Sequence, residues 1–289
     1  MVNPLVIAIP ADNWDLHLKN LLSSLEWQTY QNFRVFILSN TLNSLPVSDL
    51  NLTLINPGHN FHRSRTRNAI LQETSIDDED LILFLDADGI LSPNFLKDVV
   101  RFHDRRSKLV SYGLRKELTE VEMTNIPDPI RIEHFHQLNK KHPEFCAWTV
   151  RSMFQACKAK WLRAVGGYPE YITGWGGEDL FLHCMLIERI GCEEAVLPEC
   201  IALHQWHPTW TDYESDAQNL EIFLRHRKTM IAEDLWCLTN RPRAWISESG
   251  KYLVETIEQS SDGSQNYQLF DLRSGTRKIV RDLTFDSAL

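Results

Sequence analysis

Two carboxylates directly follow a short apolar run, LILFL. Asp86 and Asp88 in LFLDADG come after Leu81–Leu85, which is typical of a strand buried on both faces. Because side chains two residues apart point to the same side of an extended chain, the two carboxylates can converge on one cation. Such oxygen ligands suit Mn²⁺ or Mg²⁺ and leave coordination positions for a diphosphate. A solvated aspartate turn after the strand is the alternative interpretation.

Two imidazoles in the segment ALHQWHP add to this pattern. His204 and His207 follow another short apolar segment and lie three residues apart. A single histidine is more often a satisfied surface or core residue. Imidazole combined with carboxylate is nevertheless a suitable ligand set for Mn²⁺, and such ligands often come from distant parts of a sequence. We therefore predict a metal site made of Asp86, Asp88, His204 and His207.

Three arginines alternate in FHRSRTRN, at the predicted start of a helix. Arg63, Arg65 and Arg67 would lie where free backbone N–H groups and guanidinium groups both favour a phosphate. A solvated basic face is the alternative. Because this cluster lies one element before Asp86 and Asp88, we favour the phosphate site.

Two adjacent acids begin a predicted amphipathic helix in GWGGEDLFLHCML. Glu178 and Asp179 would complement the helix dipole there, but the dipole does not explain the preceding Trp175 and two glycines. A carboxylate held beside a hydroxyl can accept its proton as the oxygen attacks, which is general-base catalysis. The stretch therefore predicts a site that acts on a hydroxyl.

The residues around the acidic pair are suited to a sugar. Trp175, Tyr168 and Tyr171 could stack on the C–H face of a sugar ring, whose hydroxyls would donate to carboxylates. Gly176 and Gly177 would allow the backbone to come close to an acceptor because they carry no Cβ.

Composition excludes several classes of protein. The chain has 289 residues, 43% of them hydrophobic, which is enough for a large core. Its formal charge of −9 argues against a nucleic-acid partner, which requires a basic face.

None of its six cysteines forms a CxxC pair, so we expect free buried thiols. No run is long enough for a transmembrane segment and no signal peptide is evident. We expect a cytoplasmic protein; peripheral membrane contact and the oligomeric state stay open.

The first part of the chain alternates strands and helices. This order predicts an α/β fold with a mostly parallel sheet, whose ligands collect beyond the carboxyl ends of the strands. The predicted strands are Leu5–Ile9, Arg34–Leu38, Leu52–Ile55 and Leu81–Leu85, and the predicted helices are 16–29, Arg63–Glu73 and Pro93–Arg105.

The alternation loosens after residue 106. We predict a strand at Cys146–Val150, a helix over Tyr213–Leu238, and hairpins from Ala244 because SSDGSQN and RSGT separate short alternating runs. The predicted domains are 1–106 for nucleotide-sugar binding, 107–243 for acceptor binding and catalysis, and 244–289 as a β-rich appendage.

The sequence resembles a metal-dependent glycosyltransferase of GT-A fold. The resemblance is to the β-1,4-galactosyltransferases and the transferase modules of bacterial chondroitin polymerase. It is carried by IPADNWDLHLKNLL, FHRSRTRN, LFLDADG, GGYPEYITGWGGEDLF and ALHQWHP, and WGGED after an upstream Asp-x-Asp is its most specific mark.

The resemblance implies a role for each matching residue. It implies a nucleotide-sugar donor, a carbohydrate or glycoconjugate acceptor, and Mn²⁺ or Mg²⁺ as cofactor. Asp179 would be the catalytic base and Glu178 would hold the acceptor together with Tyr171, Trp175, Gly176 and Gly177. The implied donor-binding residues are Pro10, Asp12, Asn40, Arg63, Arg67, Asp86 and Asp88.

Two other classes of function stay open in the sequence. A nucleotidyltransferase also holds a metal on strand-end carboxylates, but it would need a glycine-rich phosphate loop where this chain has IPADNWD. A non-catalytic carbohydrate-binding homologue would not need the intact acidic pair, the Asp-x-Asp motif and both histidines.

Overall fold

The computed structural model describes residues 3–281 except 12–14, 46–48, 59–61, 105, 107, 143–152, 171, 173–175, 209–218, 220–243, 247–251, 260–264 and 272–276. Contacts within the chain divide it into two compact units. The first unit comprises residues 1–174 and 178–212, and the second comprises residues 175–177 and 213–289.

An eight-stranded sheet forms the centre of the first unit. Its strands are β1 (Leu5–Pro10), β2 (Phe33–Leu38), β3 (Leu52–Ile55), β4 (Leu81–Leu85), β5 (Gly89–Leu91), β6 (Leu109–Glu117), β7 (Phe154–Lys158) and β8 (Glu193–His204). They are ordered β3-β2-β1-β4-β7-β6-β8-β5. The four strands from β3 to β4 run parallel, as do β6 and β8, whereas β7 and β5 are antiparallel to their neighbours.

Seven α-helices accompany this sheet in the described part of the first unit. They are α1 (Leu16–Glu26), α2 (Arg63–Asn68), α3 (Phe95–His103), α4 (Glu120–Thr124), α5 (Ile132–Lys141), α6 (Ala159–Ala164) and α7 (Glu178–Cys184). The Asp15 side chain caps α1 by accepting from the N–H of Leu18 at 3.0 Å. The predicted apolar face of α1 is buried against the sheet through Leu18, Leu21 and Leu25.

The mixed α/β architecture confirms the predicted fold class, a GT-A, Rossmann-like sheet flanked by helices. Every residue of β1 from Val6 to Ile9 is completely buried, as its continuous apolar run predicts. Four of the cysteines, Cys157, Cys184, Cys192 and Cys200, are free and buried, which confirms that prediction for them. Among the described helices, none has both the length and the apolar character needed to cross a bilayer.

Four antiparallel strands lie in the second unit, and they confirm the predicted hairpins. These strands are β9 (Ala244–Ile246), β10 (Tyr252–Gln259), β11 (Gln265–Asp271) and β12 (Arg277–Arg281), paired in the order β12-β11-β10-β9. The predicted strand Cys146–Val150 lies outside the described residues, as does all of Tyr213–Leu238 except Asn219.

Candidate active site

The carboxyl ends of β1, β2 and β4 meet at one edge of the sheet because these strands run parallel. Pro10 ends β1 and pairs in register with Leu38, the last residue of β2. Asn40 follows β2 by two residues, and Asp86 follows β4 directly. The fold thereby places the predicted donor-binding positions Pro10, Asn40 and Asp86 at the same edge. Asp12 lies outside the described residues.

Asp88, His204 and His207 form a cluster of potential metal ligands at this edge. The antiparallel pairing of β5 with β8 sets Gly89 opposite His204, which brings Asp88 to the end of β8. Oδ2 of Asp88 lies 3.2 Å from Nε2 of His204 and 3.3 Å from Nε2 of His207. One ligand atom from each of the three residues lies within 4.8 Å of the other two. The fold therefore joins the two motifs, which are separated by more than 100 positions in the sequence.

The chemistry of this trio fits a divalent cation. Burial opposes the charge of Asp88, but hydrogen bonds with the two histidines hold the pKa of its carboxyl well below the ordinary value. Its other oxygen, Oδ1, is buried without a hydrogen-bond partner, which is a costly arrangement for a carboxylate unless an ion satisfies it. A carboxylate beside two imidazoles suits Mn²⁺.

Hydrogen bonds raise the pKa of both histidines in the cluster. Burial lowers the pKa of His204, but its contacts with Asp88 and Glu117 outweigh burial and raise the value to about 9. The hydrogen bond with Asp88 also raises the pKa of His207. An imidazole binds a cation only in its neutral form, so the raised pKa values predict that metal affinity falls as pH falls.

A second cluster of charges surrounds the guanidinium of Arg67 on α2, whose side chain is only 4% exposed. Nη2 donates to Oδ1 of Asp86 at 2.7 Å, and Nη1 donates to Oε1 of Glu178 at 2.9 Å. Nη1 also lies 3.3 Å from Oδ1 of Asp179. The guanidinium further lies over the ring of Tyr168, 5.0 Å from its centroid. Arg67 thus holds three carboxylates together.

The two acids of WGGED have different environments. Burial raises the pKa of Glu178, but the nearby Arg67 and Arg63 outweigh it and lower the value below the ordinary one. Burial also raises the pKa of Asp179, and there the charges of Glu178 and Asp86 add to the effect, so that the value lies well above the ordinary one. Asp179 is therefore the stronger base of the pair.

The other two arginines of FHRSRTRN are more exposed than Arg67. Nη1 of Arg63 lies 3.7 Å from Oε1 of Glu178, and its side chain is 38% exposed. Arg65 pairs instead with Glu170 at 3.2 Å, and about half of each of these two side chains is exposed. Arg63 is thus the one arginine of the three that both reaches the carboxylate cluster and keeps substantial contact with solvent.

The glycines of WGGED adopt backbone conformations that favour glycine. Gly176 has φ +89° and Gly177 has φ +92°, both in the region that side chains with a Cβ rarely adopt. Within the second unit, Asn219 donates to the carbonyl of Gly176 at 2.9 Å. The predicted acceptor-binding residues Tyr171 and Trp175 lie outside the described residues.

The prediction that Tyr168 is a sugar-stacking platform is wrong. The residue is 2% exposed, and its ring packs edge-on against Phe84 while Arg67 covers it from another side. Its hydroxyl donates to Oε1 of Gln155 at 3.1 Å. Nδ2 of Asn68 donates to the Tyr168 carbonyl, and Oδ1 of Asn68 accepts from its N–H, which fixes the backbone. Tyr168 is therefore a buried residue that packs against the guanidinium of Arg67.

Two residues near the metal-ligand cluster were not predicted. Oε2 of Glu117, at the end of β6, lies 2.7 Å from Nδ1 of His204. The buried Gln205 accepts from Asn20 at 2.7 Å, and its backbone N–H donates to the carbonyl of Asp88 at 2.8 Å. Glu117 is the last residue of β6, whereas Asp86 directly follows β4, and this position at the end of a strand is the signal that could have indicated Glu117.

Comparison with known proteins places the chain in a family. The profile of glycosyl transferase family 2 matches residues 6–158, more than half of the chain. No curated protein sequence matches the chain.

Several solved structures share the fold. S. aureus TarS 1–349 in complex with UDP-GlcNAc has a TM-score of 0.54 at 17% identity, over 80% of this chain and 71% of that one. The mannosyltransferase PcManGT from Pyrobaculum calidifontis with GDP-Man and Mn²⁺ has a TM-score of 0.52 at 14% identity, over 76% of this chain and 62% of that one. GalNAc-T7 with UDP, GalNAc and Mn²⁺ has a TM-score of 0.51 at 12% identity, over 96% of this chain and 66% of that one. The last two alignments span less than two thirds of the other chain. The family match and the shared fold agree: the chain belongs to glycosyl transferase family 2.

Proposed function

We propose that the chain is a metal-dependent, inverting glycosyltransferase that moves a sugar from a UDP-sugar to a hydroxyl of a glycan or glycoconjugate. Within its family we propose the type of the β-1,4-galactosyltransferases and bacterial chondroitin polymerase. One observation carries the proposal: Asp86 and Asp88, two residues apart, join the Arg67 cluster and the metal-ligand cluster respectively. A candidate base and a candidate metal site therefore lie beside each other.

Asp88, His204 and His207 would hold the cation. A divalent metal at this position would stabilise the negative charge of the departing nucleoside diphosphate. Arg63 would contact the same diphosphate, because its guanidinium is partly exposed next to the carboxylate cluster. Asp86 pairs with Arg67 in the structure, so its predicted contact with the donor or the metal would use the carboxylate oxygen that Arg67 does not hold.

Asp179 would accept the proton of the acceptor hydroxyl. Its raised pKa makes it a stronger base than an ordinary aspartate, and the proton transfer to it is correspondingly more favourable. The contacts of Glu178 with Arg67 and Arg63 both use Oε1. In this proposal an acceptor hydrogen bond to Glu178 would therefore go to Oε2.

The positions of Pro10 and Asn40 support a nucleoside site at the ends of β1 and β2. TarS was solved with UDP-GlcNAc and PcManGT with GDP-Man, so relatives in fold hold different bases. Asn40 offers a neutral amide to the base, and we propose uridine because TarS and GalNAc-T7 were solved with UDP-GlcNAc and UDP.

Hydrolysis of nucleotide sugars without acceptor tests the proposal. A panel of UDP- and GDP-sugars is incubated with Mn²⁺, Mg²⁺, or the metal chelator EDTA. We expect turnover of a UDP-sugar with Mn²⁺ that EDTA abolishes and that Asp88→Asn removes. Asp77→Asn is the matched control, since Asp77 is exposed in the loop before β4, at the opposite end of the strand. In a parallel incubation with UTP or GTP and sugar 1-phosphates, release of pyrophosphate would instead support a nucleotidyltransferase, and no turnover of any donor in either incubation would support a non-catalytic binding protein.

The stereochemistry of the product tests the mechanism independently. Single displacement with Asp179 as base converts an α-linked donor into a β-linked product. NMR of the product from a UDP-α-sugar should show the β linkage, and an α linkage would reject both inversion and this role of Asp179.

A further inference from the structure

Glu117 lies behind His204, on the side of the ring that faces away from Asp88. Its Oε2 is 2.7 Å from Nδ1, while Nε2 of the same ring faces Asp88 at 3.2 Å. The two nitrogens of an imidazole point in divergent directions. Glu117 therefore contacts the nitrogen that a cation at the metal-ligand cluster does not use, and it is not a fourth ligand.

The sheet fixes this arrangement. β6 and β8 run parallel, and their register sets Glu117 beside His204. The carbonyl of His204 accepts from the N–H of Leu118 at 3.0 Å. On its other side His204 pairs with Gly89 of β5. The backbone of His204 is thus held from both neighbouring strands, and rotation of its side chain is the freedom that the strand pairing leaves.

A separate contact fixes the loop that carries the second histidine. The N–H of Gln205 donates to the carbonyl of Asp88, and its side chain bridges Asn20 and the carbonyl of His17. Nε2 of His17 in turn lies 3.1 Å from the carbonyl of Trp206. These contacts hold the loop backbone, but none of them touches the ring of His204.

From this geometry we propose that Glu117 is a positioning residue, which accepts a hydrogen bond from Nδ1 of His204 and thereby presents Nε2 to the cation. The inference rests on the proposed metal-dependent function. Carboxylates commonly orient metal-binding histidines in this way, and losing such a partner typically weakens metal binding about 10–100-fold. Because the side chain of Glu117 is 43% exposed and water can replace it in part, we expect an effect of about 10-fold, at the lower end of that range.

A variant of Arg115 separates the hydrogen bond between Glu117 and His204 from the effect of local charge on metal binding. Nε of Arg115 donates to Oε1 of Glu117 at 2.5 Å, the oxygen opposite the one that contacts His204. Arg115→Leu removes this pair and leaves the contact with His204 in place. Glu120→Gln removes a nearby surface charge, three residues further along the chain, and is the control for long-range electrostatics.

The test measures binding of Mn²⁺ and of Mg²⁺, each with saturating UDP, by calorimetry on the full chain. We expect Glu117→Leu to weaken Mn²⁺ about 10-fold and Glu117→Gln to weaken it less, because the amide oxygen still accepts. Mg²⁺ depends less on imidazole, so the Mn²⁺/Mg²⁺ affinity ratio should fall in Glu117→Leu and stay unchanged in Arg115→Leu and Glu120→Gln. Circular dichroism and urea unfolding establish that each variant is folded.

Each outcome of this test decides the matter. Wild-type affinity for Mn²⁺ in Glu117→Leu, or an equal loss for both ions, would overturn the positioning role while leaving the metal site intact. The same result in Arg115→Leu as in Glu117→Leu would also overturn it, because local charge would then explain the effect. Failure of the wild-type chain to bind Mn²⁺ at all would reject the proposed metal site, and the role of Glu117 with it.

Discussion

Replacing Arg67 by methionine tests whether this guanidinium holds the carboxylate cluster together. Methionine keeps much of the length of the side chain and removes its charge. The substitution removes two buried charge-assisted hydrogen bonds, to Asp86 at 2.7 Å and to Glu178 at 2.9 Å, each worth about 1.5–3 kcal/mol. Arg63 stays 3.7 Å from Glu178 and compensates in part. We therefore expect the free energy of unfolding to fall by about 3–5 kcal/mol near neutral pH, the usual cost of leaving buried charges unpaired.

The destabilisation should depend on pH, with a sign fixed by the carboxylates. Without Arg67, the folded-state pKa values of Asp86 and Asp179, which burial already raises, should rise further, and that of Glu178 should rise from below its ordinary value, because Arg63 alone then opposes burial and mutual repulsion. A group with a raised folded pKa is stabilising below its unfolded pKa, and that contribution is lost as pH rises through the folded value. The difference between the variant and the wild type should therefore shrink at acidic pH and grow towards alkaline pH.

Urea unfolding followed by circular dichroism at several pH values measures this difference. Arg65→Met is the matched control, because Arg65 lies on the same helix but pairs with Glu170 at an exposed position; it should cost under about 1 kcal/mol. A destabilisation in Arg67→Met no larger than in Arg65→Met, or one that does not change with pH, would refute the role given to Arg67.

Three further predictions concern catalysis. Asp179→Asn should lower kcat by about 10²–10⁴ with donor affinity unchanged, whereas Glu178→Gln should raise the acceptor KM more than it lowers kcat; steady-state kinetics that show the reverse pattern would exchange the two roles. Because the pKa of Asp179 is raised and the base must be deprotonated, kcat should rise with pH and level off above that pKa; the same profile in Asp179→Asn would assign the ionisation to another group. Deletion of residues 244–289 should spare nucleotide-sugar hydrolysis and weaken transfer or association, and loss of both activities in a folded truncation would show that the catalytic centre extends into this segment.

Local patterns in the sequence predicted the elements that carry the first Asp of LFLDADG. Leu81–Leu85 is continuously apolar and lies in the sheet as β4, and the leucines of α1 recur at helical spacing and are buried. The three-residue β5 is too short to show a period. β8 extends over Glu193–His204 with a mostly exposed first half, so only its apolar end was visible as a pattern. Long-range pairing, which local periodicity does not report, forms both strands.

The same limit explains why the partners of Arg67 could not be predicted. A guanidinium binds phosphate and carboxylate with the same fork of donors, so the sequence FHRSRTRN favours neither. Arg67 and Glu178 are 111 positions apart, and only the packing of α2 beside the start of α7 brings them together. Once buried, Arg67 makes the carboxylates of Asp86, Glu178 and Asp179 interdependent, because a change in the charge of one alters the pKa of the others. The motifs LFLDADG and WGGED are separate in the sequence, but in the fold their carboxylates are electrostatically coupled through Arg67.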